Sequence, residues 1–564
     1  MKNYIKELRS KFEKYGIDGY VIPKNDDYFT EYSKLNRLEV ISNFSGSAGL
    51  AIILKNKNYL FTDGRYTIQS KIESGKNFKI YGFEKLTDFN LFKNLTLGID
   101  PKLFTNTQIK NYFLKHNKIK YVEKNLIDEI KKQKEHTSIP FFSLDKNIVG
   151  ESINSKLNKI TKYLKKNKSD YIFISAPENV AWTLNIRGGD GPNSPIPNSR
   201  LIVSKSKKII LISNLKKCKQ LLKNKTIKKD EFLDVNTLPS KILHLKGKKF
   251  IIDDKSCSIF YENLIKSKFK IIKREDPIYL LKSIKNKTEI KNMINAHILD
   301  GVALTKFLFW IKKINKKKIT EVKAAKKLEN FRKLNKSFLY PSFDTIAGSG
   351  KNGAIVHYRA KKEKCRTINR NDILLCDSGG QYKYGTTDVT RTICFSKQKH
   401  SIKNIFTKVL KGHIAVATTD INKDDIGKKI DKRARKFLNK SNLDYAHGTG
   451  HGVGFFLNVH EGPQSITKIN TVKIREGMIL SNEPGYYKTN EYGIRIENLV
   501  YVKKIKKKLS FQNLTMAPIE KDLINFDLLT IDEKNYLFKY HLEVYSRISK
   551  YLNPNERSWL ATFI

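Results

Sequence analysis

Hydrophobic positions change their period several times along the chain, and each change marks an element. Tyr4, Ile5, Leu8 and Phe12 recur at helical spacing and predict an amphipathic N-terminal helix. Gly19-Tyr-Val-Ile-Pro23 follows as a short apolar strand. A polar segment then leads through Phe44-Ser-Gly-Ser-Ala-Gly49 into a second strand, Leu50–Leu54. A similar order returns at Asp170-Tyr-Ile-Phe-Ile-Ser175, continues through Asn185-Ile-Arg-Gly-Gly-Asp190 and a Gly/Pro-rich loop, and ends in a strand over 201–204. This is a weak internal repeat of two tandem α/β units with a join near 145–150. From 289 to 311 the spacing turns helical again without proline, with Ile290, Met293, Ile294, His297 and Ile298 on one face. Between 342 and 502 the pattern becomes short strands broken by glycine clusters. The tail carries a capping box, Thr530-x-x-Glu533, ahead of a helix whose Leu537, His541, Val544 and Ile548 share a side. That side either packs on the chain itself or forms a dimer contact.

Length and composition bound these elements. A chain of 564 residues exceeds one hydrophobic core, and 40% hydrophobic with 11% aromatic residues is normal for a folded protein. The formal charge of +53 raises the question of a polyanionic partner. The excess is mostly scattered lysine, as in Lys165-Lys-Asn-Lys168 and Lys316-Lys-Lys318, with abundant Asn and Ile. No basic run is interleaved with aromatics for base stacking, so the expectation is a solvated surface with no specific nucleic-acid partner. Five cysteines without a C-x-x-C pair argue against a disulfide framework and a zinc ribbon and fit a reducing compartment. The N-terminus lacks a signal-peptide core, and no apolar stretch is expected to reach bilayer length. The reading is a cytoplasmic protein without a membrane partner.

Candidate chemistry is confined to three glycine-rich segments. Asp377 ends the apolar run Ile373-Leu-Leu-Cys376, and Asp388 follows eleven positions later in Gly385-Thr-Thr-Asp-Val-Thr-Arg391. A strand, a Gly-rich turn and a returning strand would set both carboxylates on one side, although such aspartates also serve as turn and capping residues. Ala446-His-Gly-Thr-Gly-His-Gly-Val-Gly454 holds His447 and His451 among four glycines, and His460-Glu461 follows. The glycines disfavour a zinc-binding H-E-x-x-H helix, and each histidine could be purely structural. Glu483 and Glu497 lie inside apolar strands, where each could be held by an arginine such as Arg495. Taken together, four acids without compensation repel and raise one another's pKa, and two divalent cations remove that problem. Four carboxylates and one imidazole form a hard, oxygen-rich donor set suited to Mn²⁺ and related ions, and a pair about 3.5–4 Å apart can activate a shared hydroxide.

These segments, with Asp344-Thr-Ile-Ala-Gly348 and Asn352-Gly-Ala-Ile-Val-His-Tyr358, resemble the Xaa-Pro aminopeptidase (aminopeptidase P) family nearly from end to end. The resemblance implies an α/β (α+β) chain of two tandem creatinase-like domains (1–146 and 147–281), a pita-bread catalytic domain (282–505) and a short helical C-terminal extension (506–564). It implies that Asp377, Asp388, His451, Glu483 and Glu497 hold two Mn²⁺ per subunit, with Zn²⁺ or Co²⁺ as alternatives. His357 and His460 match non-ligand positions that contact substrate and stabilise the tetrahedral intermediate, His447 matches a further position lining the site, and Glu483 would help take the water proton. The implied reaction is hydrolysis of the bond between an N-terminal residue and a following proline by a hydroxide bridging the two metals, in a homodimer. One departure is Arg187-Gly-Gly-Asp-Gly-Pro-Asn-Ser-Pro195, where Asn193 replaces an expected ring-bearing residue. The alternatives are a prolidase restricted to Xaa-Pro dipeptides, which the extra domain and tail disfavour, and a non-catalytic peptidase-like binding module, which retention of all five ligands disfavours.

Overall fold

The strand Gly19–Pro23 is buried along its whole length and becomes an inner strand of a six-stranded mixed sheet. It pairs antiparallel with Leu50–Leu54 on one side and parallel with Thr96–Ile99 on the other. This is a computed structural model that describes residues 4–31, 33, 35–88, 91–113, 115–132, 139–314 and 319–564, so the lysine run 316–318 lies outside the described residues. Tyr171–Ile174 occupies the same place in a second six-stranded sheet, antiparallel to Arg200–Ser204 and parallel to Lys249–Ile252. In both sheets the next strand on the first side is antiparallel and the edge strands are parallel. The internal repeat is therefore a repeat of topology. The N-terminal helix spans Tyr4–Arg9, and its predicted apolar face packs inward, with Leu8 and Phe12 buried.

By contact density the chain forms two compact units, 1–278 and 279–564. The second opens with the helix Lys287–Lys313, started by a complete capping box between Asn286 and Glu289. The expectation that no apolar stretch reaches bilayer length needs correcting here, because this helix is long and apolar enough to cross a membrane. It is a core helix: His297 and Asp300 are buried on it, and Asp300 binds Arg332 (2.7 Å) and the Tyr382 hydroxyl (2.8 Å). Behind it lie two antiparallel layers. Ile346–Ser349, Ile373–Ser378 and Val389–Cys394 form a three-stranded sheet. A five-stranded sheet runs in the spatial order Glu461–Ile466, Gly450–Gly452, Ile479–Asn482, Asn498–Ile505 and Lys508–Asn513.

The tail helix Ile531–Ile548 has the expected capping box at Thr530 and Glu533. Its stripe of Leu537, His541, Val544 and Ile548 is buried in one core with Phe406, Val409 and Leu410 of the helix His400–Ala417, which corrects the dimer-contact reading of that stripe. Burying each such apolar side chain is worth about 1.5–3 kcal/mol. The stripe is thus spent within its own chain and presents no surface to a second copy.

His541 is part of this core, and its Nε2 accepts the Ile519 N–H (3.1 Å). Burial, aided by the nearby Arg391 charge, pulls its pKa down to about 3. The unfolded chain takes up this proton near the ordinary value of about 6.5, so the stability that neutral His541 contributes is complete above that value and is lost as pH falls from there towards 3. Urea midpoints measured across this window should fall with acid, and His541→Gln should make the fall shallower. An unchanged slope would remove His541 from the account.

Candidate metal centre

Asp377 and Thr390 are direct partners across the antiparallel pair, and Asp388 stands two residues before Thr390. Cross-strand partners share a face, as do residues two apart along a strand, so both carboxylates point the same way. The interval between them is more than a turn. Gly380–Tyr382 and Gly385–Thr386 form a small hairpin that pairs with Phe338–Pro341.

The other three acid and imidazole positions come from the five-stranded layer. His451 is the middle residue of Gly450–Gly452, a strand held between two neighbours so closely that a Cβ at Gly450 would collide with the Ser481 carbonyl. This close approach, rather than turn geometry, explains the glycines around the histidine. The His451 N–H donates to Ser481 Oγ (2.9 Å), and that hydroxyl donates to Glu483 Oε1 (3.1 Å). His451 Nδ1 lies 2.9 Å from the Gly452 carbonyl, which assigns the proton to Nδ1 and leaves the Nε2 lone pair for a ligand. Nε2 is 3.5 Å from both Asp388 Oδ2 and Glu483 Oε1. Glu497 immediately precedes Asn498–Ile505 and joins the two layers: its N–H donates to the Thr390 carbonyl (3.1 Å), and its Oε2 accepts the Thr390 hydroxyl (2.8 Å).

Donor atoms of Asp388, His451 and Glu497 all lie within 4.8 Å of one another. Burial, then the charge of Asp377 and Glu483, pushes the Asp388 carboxyl well above its ordinary value. Burial followed by repulsion from Asp388 does the same to Glu497, and burial raises Glu483. Asp377 Oδ1 is buried without a hydrogen-bond partner. Repelling carboxyls, a free imidazole lone pair and an orphaned carboxylate oxygen together are what divalent cations would satisfy, so the residues fit the metals that the sequence implied.

Arg495 corrects one expectation, because it holds Asp377 and neither glutamate. Its Nη2 donates to Asp377 Oδ2 (2.5 Å), Nε to Thr390 Oγ1 (3.1 Å) and Nη1 to the Tyr487 hydroxyl (2.6 Å). Because Arg495 is donor-only, Tyr487 must donate its own proton onward to His447 Nε2 (2.8 Å), and His447 Nδ1–H meets the Gly448 carbonyl (2.7 Å). His447 therefore reaches the centre through Tyr487 and Arg495. The His460 ring stands 4.3 Å from that of His451 at 87°, beside the cluster. His357 is half-buried, and the carbonyl of its neighbour Val356 lies 3.5 Å from Arg495 Nη1.

Sequence reasoning missed Tyr487, Thr390 and Ser481, since single hydroxyls in apolar strands carry no spacing signal. It also missed Lys282 and Lys285, which are both buried and both paired with Glu461, anchoring the strand that follows His460. Arg391 was equally hidden. Its guanidinium is buried, donates to the Glu497 carbonyl (2.6 Å), the Ala517 carbonyl (2.8 Å) and the Tyr540 hydroxyl (3.0 Å), and so ties the tail to the backbone of Glu497.

Comparison with known proteins covers the whole chain. Residues 291–504 match the model of metallopeptidase family M24, 5–128 and 132–289 match models of the creatinase/prolidase N-terminal domain, and 507–562 match the C-terminal region of peptidase M24. The protein named "Probable Xaa-Pro aminopeptidase P" in Laccaria bicolor is 37% identical over 98% of this chain and 92% of its own length. Xaa-Pro aminopeptidase 1 of Dictyostelium discoideum is 36% identical over 99% of this chain and 95% of its own. Among solved structures, the X-prolyl aminopeptidase of Caenorhabditis elegans, described as a cytosolic enzyme with a di-nuclear active site, superposes with a TM-score of 0.91 at 28% identity, covering 100% of this chain and 99% of that one. The prolidase of Pyrococcus furiosus matches 63% of this chain and 98% of its own, with a TM-score of 0.52 and 26% identity.

Proposed function

Because the chain belongs to the Xaa-Pro aminopeptidase P family of M24 metallopeptidases, we propose that it removes the N-terminal residue from peptides whose second residue is proline. The observation that supports this most directly is the convergence of Asp388, His451 and Glu497 within 4.8 Å, with Glu483 3.5 Å from His451 and the charge of Asp377 acting on Asp388. Those five residues would hold two divalent ions per subunit, Mn²⁺ by the hardness of the donor set, with Zn²⁺ or Co²⁺ as alternatives. Bound there, the ions supply a strong nucleophile from water at neutral pH and polarise the scissile carbonyl.

The chain's own side chains do the rest. Arg495 and Thr390 lock Asp377 and Glu497 in place, and the Nδ1–H bond of His451 fixes its ring. Glu483, 3.5 Å from His451 Nε2, accepts the proton of the attacking water at a carboxylate oxygen. His460 and His357 donate to the oxygen of the scissile carbonyl as charge develops on it, and His447 lines the site through Tyr487. The same reading takes the protein as a cytoplasmic homodimer, and its five free cysteines accord with a reducing compartment. It divides the chain at 146, 281 and 505.

The test is release of the first residue from a tripeptide with proline second, with and without Mn²⁺, beside an alanine-second tripeptide and an Xaa-Pro dipeptide. Mn²⁺-dependent cleavage of the proline tripeptide and not the alanine one is the expected result. Cleavage of the dipeptide alone would make the protein a prolidase, and cleavage of none would make it a binding module.

A further inference from the structure

Outside the metal centre, one fully buried carboxylate gathers donors from across a loop. Glu321 opens the helix Glu321–Lys333, directly after its N-cap Thr320, where the positive end of the helix favours an acid. Its Oε1 accepts the Ser349 N–H (2.8 Å) and the Asn352 amide (3.0 Å). Its Oε2 accepts the Tyr358 hydroxyl (2.7 Å), the Arg366 N–H (2.8 Å) and the same Asn352 amide (3.0 Å). Asn352 also donates to the Tyr358 oxygen (2.9 Å), and the Glu321 N–H meets the Arg366 carbonyl (3.0 Å). A carboxylate offers about four lone-pair sites, so Glu321 is saturated and has none left for a cation or a substrate proton. Burial, then Glu321 itself, pushes the Tyr358 phenol above its ordinary value, which keeps that hydroxyl a donor.

The clamped segment is the one that carries His357. Tyr358 is its immediate neighbour, Ser349 and Asn352 anchor the chain before it, and the Val356 carbonyl faces the arginine that holds Asp377. The segment between these anchors is irregular backbone after a single 3₁₀ turn, Gly350–Ala354, so no helix or sheet ladder fixes the direction of the imidazole.

We propose that Glu321 is a positioning residue for His357, setting the imidazole against the substrate by clamping Ser349, Asn352 and Tyr358 to the start of one helix. This rests on the reading of His357 as a substrate-contacting group. A misplacement of about 1 Å in such a group costs up to about 10²-fold in rate. Glu321→Gln, which turns one acceptor oxygen into a donor facing other donors, should lower kcat by about 10- to 100-fold. Tyr358→Phe, which removes one bond, should lower it less.

The experiment measures kcat on the proline-second tripeptide for Glu321→Gln and Tyr358→Phe, each alone and combined with His357→Ala, together with the thermal midpoint of every variant. Both substitutions should lower kcat when His357 is present and leave it unchanged once His357 is gone, while the midpoint shifts equally in both backgrounds. The same fractional loss of kcat in both backgrounds would reduce Glu321 to a general structural role and overturn the proposal. An unchanged kcat in the single variants would overturn it as well. Full turnover in His357→Ala alone would instead remove the role assigned to His357, a result separable from the other two. Should Glu321→Gln fail to fold, Tyr358→Phe decides.

Discussion

Asp388→Ala should abolish Mn²⁺-dependent cleavage of the proline tripeptide while leaving a folded protein. Asp388 is 4% exposed and packs its carboxylate against His451, and losing a residue that only orients a ligand already costs about 10–100-fold in metal affinity. Removing Asp388, proposed above as a ligand itself, should exceed that. The metal-free protein should respond in the opposite sense. Asp388, Glu483 and Glu497 are all raised when folded, so the metal-free native state binds more protons than the unfolded chain above the ordinary carboxylate range. Its stability therefore falls as pH rises through the folded values. Asp388→Asn removes one of the repelling charges at nearly constant volume, so the metal-free variant should melt above the metal-free wild type, by a margin that widens with pH. Added Mn²⁺ should reverse the order, because cation binding needs the carboxylates that only the wild type retains in full. Full activity in Asp388→Ala would sink the metal assignment.

The second large effect is expected at His460. Its ring meets that of His451 edge to face and stands beside the donor cluster, and Lys282 and Lys285 anchor the next residue, Glu461. His460→Ala should lower kcat by about 10²–10³-fold, the loss typical of one donor to a developing oxyanion, while metal content per subunit stays at two. Metal analysis by mass spectrometry separates the outcomes. If both ions are lost, His460 is a ligand. If turnover and metal content are both untouched, it is a bystander.

Much of this architecture could be read before folding. The topological repeat shows in the sequence because strand and helix signals are local, and the two sheets place their strands in the same order. The long helix at Lys287–Lys313 was equally legible from its period, while its cap at Asn286 and Glu289 came with the structure. Periodicity does not encode partners, and there the reading ran out. The apolar stripe of Leu537, Val544 and Ile548 is obvious in the sequence, but only packing shows that it covers its own core. Arg495 was visible as a possible partner for Glu483 or Glu497, yet its actual partner Asp377 lies 118 residues away, and nothing in either strand points to the other. Glu321 has no signal in the sequence at all, because only the fold closes Ser349, Asn352, Tyr358 and Arg366 around it.

The sequence by itself determined which residues could form the donor set, since four acids and a histidine among glycines and apolar strands are tolerable only if something compensates their charge. Tertiary structure alone decided how they are held: which oxygen of Asp377 is tied to Arg495 and which is left unpartnered, which nitrogen of His451 is free, and which other buried acid has its oxygens filled by hydrogen bonds from a loop. The physical reason is range. Propensity and hydrophobic period act over a few residues, whereas hydrogen bonds and charge compensation act between groups that only the folded chain brings within about 3 Å of one another.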